Sequence, residues 1–216
     1  MRLLELFSGT GSIGRAFDEI GWEVTSLDMD PESGADIIAN FMDWDYHMYP
    51  PGYFDGVWGS PPCTHYSMAR TRAKTPRVLE GSDALAQRLK DVIEYFKPTV
   101  WAFENPATGL LPGRAVVAGI PFKDISYCMY GYPYQKHTRI WTNSTVWKPK
   151  PSCYKSVTTC EMMVDGRHPM SAQRAPAKRD GVRVAGDKCS LRQLYSMPRE
   201  LCDELAKAFD MEVTLG

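Results

Sequence analysis

Residues 59–63 read Gly-Ser-Pro-Pro-Cys, and about forty residues later the chain runs Phe-Glu-Asn-Pro at 103–106. The first segment presents a thiol at a proline-stiffened strand end, and the second presents a carboxyl group. Together, a cysteine at one strand end and a glutamate at another can attack a ring carbon while the ring nitrogen is hydrogen-bonded or protonated. Few reactions need both groups at once. A third group of residues, Gly-Thr-Gly-Ser-Ile-Gly at 9–14, has the spacing of a dinucleotide fingerprint, with Asp28 about where a ribose-binding acid would stand. Alone, that turn does not separate a nicotinamide cofactor from S-adenosylmethionine, because both need close backbone approach and an acceptor for ribose hydroxyls.

These groups require strands that end together. Leu3–Phe7 is a short apolar run, Ser8–Gly11 is turn chemistry, and Ile13, Ala16, Phe17 and Ile20 recur at helical spacing up to Gly21. Trp22–Leu27 predicts a second strand closing in Asp28, Ala35–Ile38 a third with Asp43 beyond it, and Phe54–Trp58 a fourth that leads into Cys63. Residues 64–82 are polar, with Arg70, Arg72, Lys74 and Arg77, and predict a mobile loop. Asp83–Phe96 predicts a helix, and Val100–Phe103 a fifth strand that delivers Glu104. Alternating strands and helices predict an α/β fold with a mostly parallel sheet, its ligands at the carboxyl ends of the strands. Met197–Phe209 predicts a closing helix with Leu201, Leu205, Ala208 and Phe209 as its buried stripe.

Charge separates along the chain although it nearly cancels overall. Residues 1–60 carry two basic against eleven acidic residues, while 136–199 carry thirteen basic against four acidic, or −9 and +9. The second half could therefore face phosphates, as could the loop arginines. No run approaches eighteen apolar residues and no secretion signal opens the chain, so a soluble, cytoplasmic protein with mostly reduced cysteines is expected.

The Pro-Cys and Glu-Asn-Pro segments resemble those of the DNA (cytosine-5)-methyltransferase family. Phe7-Ser8-Gly9-Thr10-Gly11 is similar to that family's first motif, and Gln135-Lys136-His137-Thr138-Arg139 to its Gln-x-Arg-x-Arg motif, with His137 departing from the expected arginine. The resemblance implies a Rossmann-like S-adenosylmethionine-dependent fold. It makes Cys63 the nucleophile toward cytosine carbon 6, Glu104 the partner of ring nitrogen 3, and Arg139 the contact to oxygen 2. It gives Asp28 the ribose and Asp43 the adenine amino group, with Phe7–Gly11, Met29, Pro61 and Ser196 completing the cosubstrate site. The target would be a cytosine rotated out of duplex DNA, with the enzyme acting as a monomer. Arginine and histidine near Cys63 would favour its thiolate.

The resemblance covers roughly residues 3–142 and then thins. Residues 1–145 are expected to form the catalytic domain, 146–188 a short target-recognition appendage, and 189–216 a helix returning to the catalytic domain. The closing segment Arg192–Pro198 lacks the family's Gly-Asn, with Tyr195 in its place, which leaves room for a modified S-adenosylmethionine. Cys153, Cys160, His168 and Cys189 in the appendage could hold a zinc clip, but free thiols and a surface histidine are the preferred reading, with no metal assigned. The alternatives are the same chemistry on RNA, a silent nucleic-acid-binding subunit, and a nicotinamide oxidoreductase that would leave Cys63 and Glu104 unexplained. The small size suits a phage, viral or restriction-modification enzyme.

Overall fold

The computed structural model describes residues 1–68, 74–154, 160–164, 166–170, 178–179, 182–183 and 190–216. A seven-stranded sheet organises the chain in the order β3-β2-β1-β4-β5-β7-β6. Its strands are β1 (Arg2–Leu6), β2 (Glu23–Asp28), β3 (Ile37–Ile38), β4 (Gly56–Gly59), β5 (Val100–Pro106), β6 (Phe122–Ser126) and β7 (His137–Thr142). The first five run parallel, and β7 pairs antiparallel with both β5 and β6. The α/β, mostly parallel sheet expected from the sequence is therefore present.

Consecutive rather than alternating apolar residues mark β1 because helices cover both faces of the sheet. Leu3 belongs to the core under helices α1 (Ser12–Asp18) and α4 (Arg199–Leu215), with Phe17, Leu205 and Phe209. Leu4 and Leu6 face helix α2 (Leu79–Phe96) and pack with Leu89, Val92 and Phe96. At Gly59 an added Cβ would stand 2.9 Å from Leu89, so this glycine lets α2 lie close against the end of β4.

Three expectations are corrected. Helix α2 begins at Leu79 rather than Asp83, so the polar segment is shorter than 64–82. Asp83 lies inside the first turns of the helix, and its carboxylate accepts from Tyr66 and Arg114. Strand β6 was not anticipated: it is an edge strand with Phe122 exposed and Lys123 and Asp124 in sequence, so it lacks a continuous apolar run. Finally, α4 continues past Phe209 to Leu215, preceded by the short helix α3 (Leu191–Tyr195). Between β7 and α3, the described residues hold the bridge Val164–Arg167 and the antiparallel pair β8 (Lys178–Arg179) and β9 (Val182–Arg183). Arg70, Arg72 and Cys189 lie outside the described residues. Among the described residues, no helix is long and apolar enough to cross a membrane.

Candidate active site

From β1 the chain winds outward through β2 to β3, then crosses back to β4 and on to β5. The reversal leaves a crevice above the carboxyl ends of β1 and β4, the place where open α/β sheets bind ligands. A cavity of about 1420 Å³ occupies it. That exceeds the roughly 300–1,000 Å³ of an ordinary small-molecule pocket, so it has room for a cosubstrate and a base together.

The glycine turn forms one wall. Phe7 has φ 58, a conformation strained for a bulky residue, and Gly9 and Gly11 have φ 51 and 63. The Gly11 amide donates to the Ser8 carbonyl at 2.8 Å, and the Gly9 amide to Asp28 at 2.8 Å. The other Asp28 oxygen accepts the Asp30 amide at 2.9 Å. Each carboxylate oxygen thus keeps a lone pair for a hydroxyl. The Phe7 ring meets Phe41 edge-on at 4.8 Å, both on the cavity wall. Backbone amides, a ribose-competent carboxylate and aromatic faces fit an adenosine-bearing cosubstrate.

Glu5 also lines the cavity and was missed in the sequence, where it reads as part of an apolar run. It is 3% exposed, and burial pushes its carboxyl up to about 7 against the opposing Gly14 and Ile13 amides and the Arg15 charge. A Cβ on Gly14 would lie 2.5 Å from the Glu5 carboxylate. The third glycine of the fingerprint thereby leaves room for this carboxyl beneath the helix.

Cys63 and Glu104 open onto the same cavity from the ends of β4 and β5. Asn105, buried next to Glu104, donates from Nδ2 to the Pro61 carbonyl at 2.9 Å, tying the two loops together. Burial pushes the Glu104 carboxyl pKa up, with Lys136 opposing, and its Oε2 is buried without a hydrogen-bond partner among the described residues. An unpaired buried oxygen on a cavity wall is suited to a ligand donor or acceptor. Burial likewise pushes the Cys63 thiol up, the charge of Glu104 adds to the rise, and Lys136 again opposes. The expected thiolate-favouring surroundings are therefore corrected. Arg77 donates to the His65 and Ser67 carbonyls at 2.6 and 3.2 Å, and the His65 ring accepts the Val78 amide at 3.0 Å, so these groups hold the loop together.

Arg139 is not brought to this wall. Its guanidinium donates to Asp124 at 2.7 and 2.8 Å and lies 3.5 Å over the Phe122 ring. The pairing register explains this: Glu104 stands opposite Ile140, so the adjacent Arg139 falls on the other face of the sheet. Lys136 faces the cavity, as do Arg15 and Arg192, with its Nζ 3.3 Å from the Leu194 carbonyl oxygen and 4.5 Å from the Tyr127 ring centroid. Ser8, Thr10, Met29 and Pro61 line the cavity. Asp43 does not line it; the amide of Asn40, which does, donates to Asp43 at 2.7 Å. Ser196 lies behind Tyr195 and Met197, bonded to the Tyr132 hydroxyl at 2.7 Å. Tyr195 is 69% exposed on the cavity rim.

Comparison with known proteins gives two findings. The chain is 31% identical over 219 residues, spanning 95% of itself and 98% of the relative, to a Frog virus 3 (isolate Goorha) protein named a probable DNA (cytosine-5)-methyltransferase. It also shares its fold, at a TM-score of 0.50 and 15% identity over 71% of the chain, with a crystal structure described as a DNA modification methyltransferase encoded within an E. coli prophage. The match spans about half (52%) of that solved chain. No family model matches.

Proposed function

The chain belongs to the DNA (cytosine-5)-methyltransferase family, and from that membership we propose that it methylates carbon 5 of cytosine in DNA, using S-adenosylmethionine. The carrying observation is that Cys63 and Glu104 share one cavity with the glycine turn after β1. The turn and Asp28 would hold the cosubstrate, which supplies an electrophilic methyl group. Asp43 could act on it only through Asn40.

Cytosine carbon 5 is a weak nucleophile, so the ring must first be activated. Cys63 Sγ would add to carbon 6 while protonated Glu104 donates to ring nitrogen 3, making carbon 5 an enamine terminus. The elevated Glu104 pKa favours this donor form, and a neutral Glu104 no longer opposes ionisation of Cys63. Lys136 steadies the thiolate while it exists. After transfer, solvent takes the carbon 5 proton, the electron pair left behind re-forms the carbon 5–carbon 6 double bond and expels the Cys63 thiolate, and ring nitrogen 3 returns its proton to Glu104, restoring the aromatic ring. Such chemistry needs the base turned out of the duplex, with the protein acting as a monomer and residues 146–188 contributing target recognition.

The test is incubation with S-adenosylmethionine and a duplex containing 5-fluorocytosine, followed by denaturing mass analysis. Fluorine blocks the release step, so a covalent complex at Cys63 carrying one added methyl is expected. An adduct on fluorinated RNA but not DNA would reassign the substrate, and silence on both would refute the reaction.

A further inference from the structure

The one strongly metal-like cluster among the described residues lies outside the catalytic pair. Cys128, Cys153, Cys160 and His168 place their ligand atoms within 4.8 Å of one another. We infer that these four residues bind one structural zinc ion, which fastens the irregular segment after β7 to the catalytic sheet.

The donors come from separate pieces of chain. Cys128 belongs to the 3-10 turn Tyr127–Tyr130 that follows β6, Cys153 to the extended stretch after Trp147, and Cys160 and His168 flank the Val164–Arg167 bridge. Tetrahedral zinc, with bonds of about 2.3 Å to sulfur and about 2.0–2.1 Å to nitrogen, needs sulfur–sulfur spacings of about 3.8 Å and sulfur–nitrogen spacings of about 3.5 Å. His168 Nε2 lies 3.2 Å from Cys160 Sγ and 3.9 Å from Cys153 Sγ, on either side of that value. Within the 4.8 Å envelope, adjustments of up to about 1 Å would complete the tetrahedron.

The surroundings are built to hold the donors. The Cys153 amide donates to Ser126 Oγ at 3.0 Å, and Gln135 Nε2 donates to the Cys153 carbonyl at 2.5 Å, so the end of β6 and the stretch leading into β7 orient this ligand. Reciprocal backbone bonds of 2.8 and 3.0 Å between Val164 and Arg167, with Gly166 at φ 71, turn the chain back between Cys160 and His168. Apart from Cys153, no apolar side chain is fully buried among the described residues 148–170; Met170 packs partly buried against the core, and hydrogen bonds from Lys150, Ser152 and the Met170 amide supply the other attachments. Small segments without a core gain most from such a staple. Four protein donors leave no open position, which makes the site structural rather than catalytic. Its consequence for the active site is positional: His168 and Met170 line the cavity, so the ion would fix that wall. The preferred sequence reading of free thiols and a surface histidine missed Cys128, about twenty-five residues upstream of Cys153 and in a different element.

The test uses the full chain, expressed with added zinc under reducing conditions and desalted. Elemental analysis should give about one zinc per chain, and X-ray absorption at the zinc edge should fit three sulfur atoms and one nitrogen. Cys128→Ser and Cys160→Ser should each lose most of the zinc, whereas Cys202→Ser, on the buried face of α4, should keep it. If the first variant fails to fold, Cys160→Ser and cobalt titration of the unmodified chain, read by a thiolate-to-cobalt charge-transfer band, decide the matter. Three results would overturn the site: a zinc-free chain that takes up no cobalt, a metal shell of oxygen atoms, or a mass two hydrogens low that reports a disulfide. Because the readout is metal content, it is independent of whether the chain methylates DNA.

Discussion

Replacing Glu5 by Gln should remove a pH-dependent loss of stability. The carboxyl is buried beneath α1, and its pKa rises from 4.5 to about 7. Below the unfolded value both states hold the proton and the group contributes no difference. As pH rises from about 4.5 to about 7, the unfolded chain ionises while the folded chain keeps its proton, so folded stability falls and the loss is complete above about 7. At about 1.4 kcal/mol per unit, the shift amounts to on the order of 3 kcal/mol. Glutamine cannot ionise, and the other titrating groups are common to both proteins. In urea unfolding from pH 4.5 to pH 8 without cosubstrate, the stability of Glu5→Gln minus that of the unmodified chain should therefore climb by about 3 kcal/mol. A difference that stays flat within about 0.5 kcal/mol would refute the buried, protonated Glu5.

Gly14→Ala should cost about 1–3 kcal/mol in the same assay, because the new Cβ meets the Glu5 carboxylate at 2.5 Å and Val24 at 3.2 Å; unchanged stability would show that this packing yields freely. Cys63→Ser should abolish turnover while calorimetry still registers S-adenosylmethionine, and retained methylation would remove Cys63 as nucleophile. Glu104→Gln should slow covalent trapping on fluorinated DNA by about 10²–10⁴-fold, with a normal trapping rate counting against its role. Lys136→Met should move the pH midpoint of Cys63 alkylation upward, since Lys136 lowers that thiol's pKa. Arg139→Met, by contrast, should leave that midpoint in place and lower thermal stability by releasing Asp124; the reverse pattern would return Arg139 to the cavity.

Much of this molecule can be read from local order alone. The strand-turn-helix units, the glycine turn with Asp28, and the placement of Cys63 and Glu104 at strand ends follow from apolar runs broken by glycine and proline. The information lies within a few residues of each feature, and parallel strands buried on both faces write it plainly. Packing and pairing decided the rest. Strand register turned Arg139 away from the cavity, since a strand changes face at every residue and no local pattern reveals its partner, while Lys136, just ahead of β7, lines it. Burial, which depends on the whole fold, raised the Cys63 thiol where nearby basic residues suggested the opposite. It also made Glu5 a titrating group inside an apolar run. The Cys128, Cys153, Cys160 and His168 cluster exists only because the chain after β7 folds back on the turn after β6, a meeting between segments that spacing along the sequence does not encode.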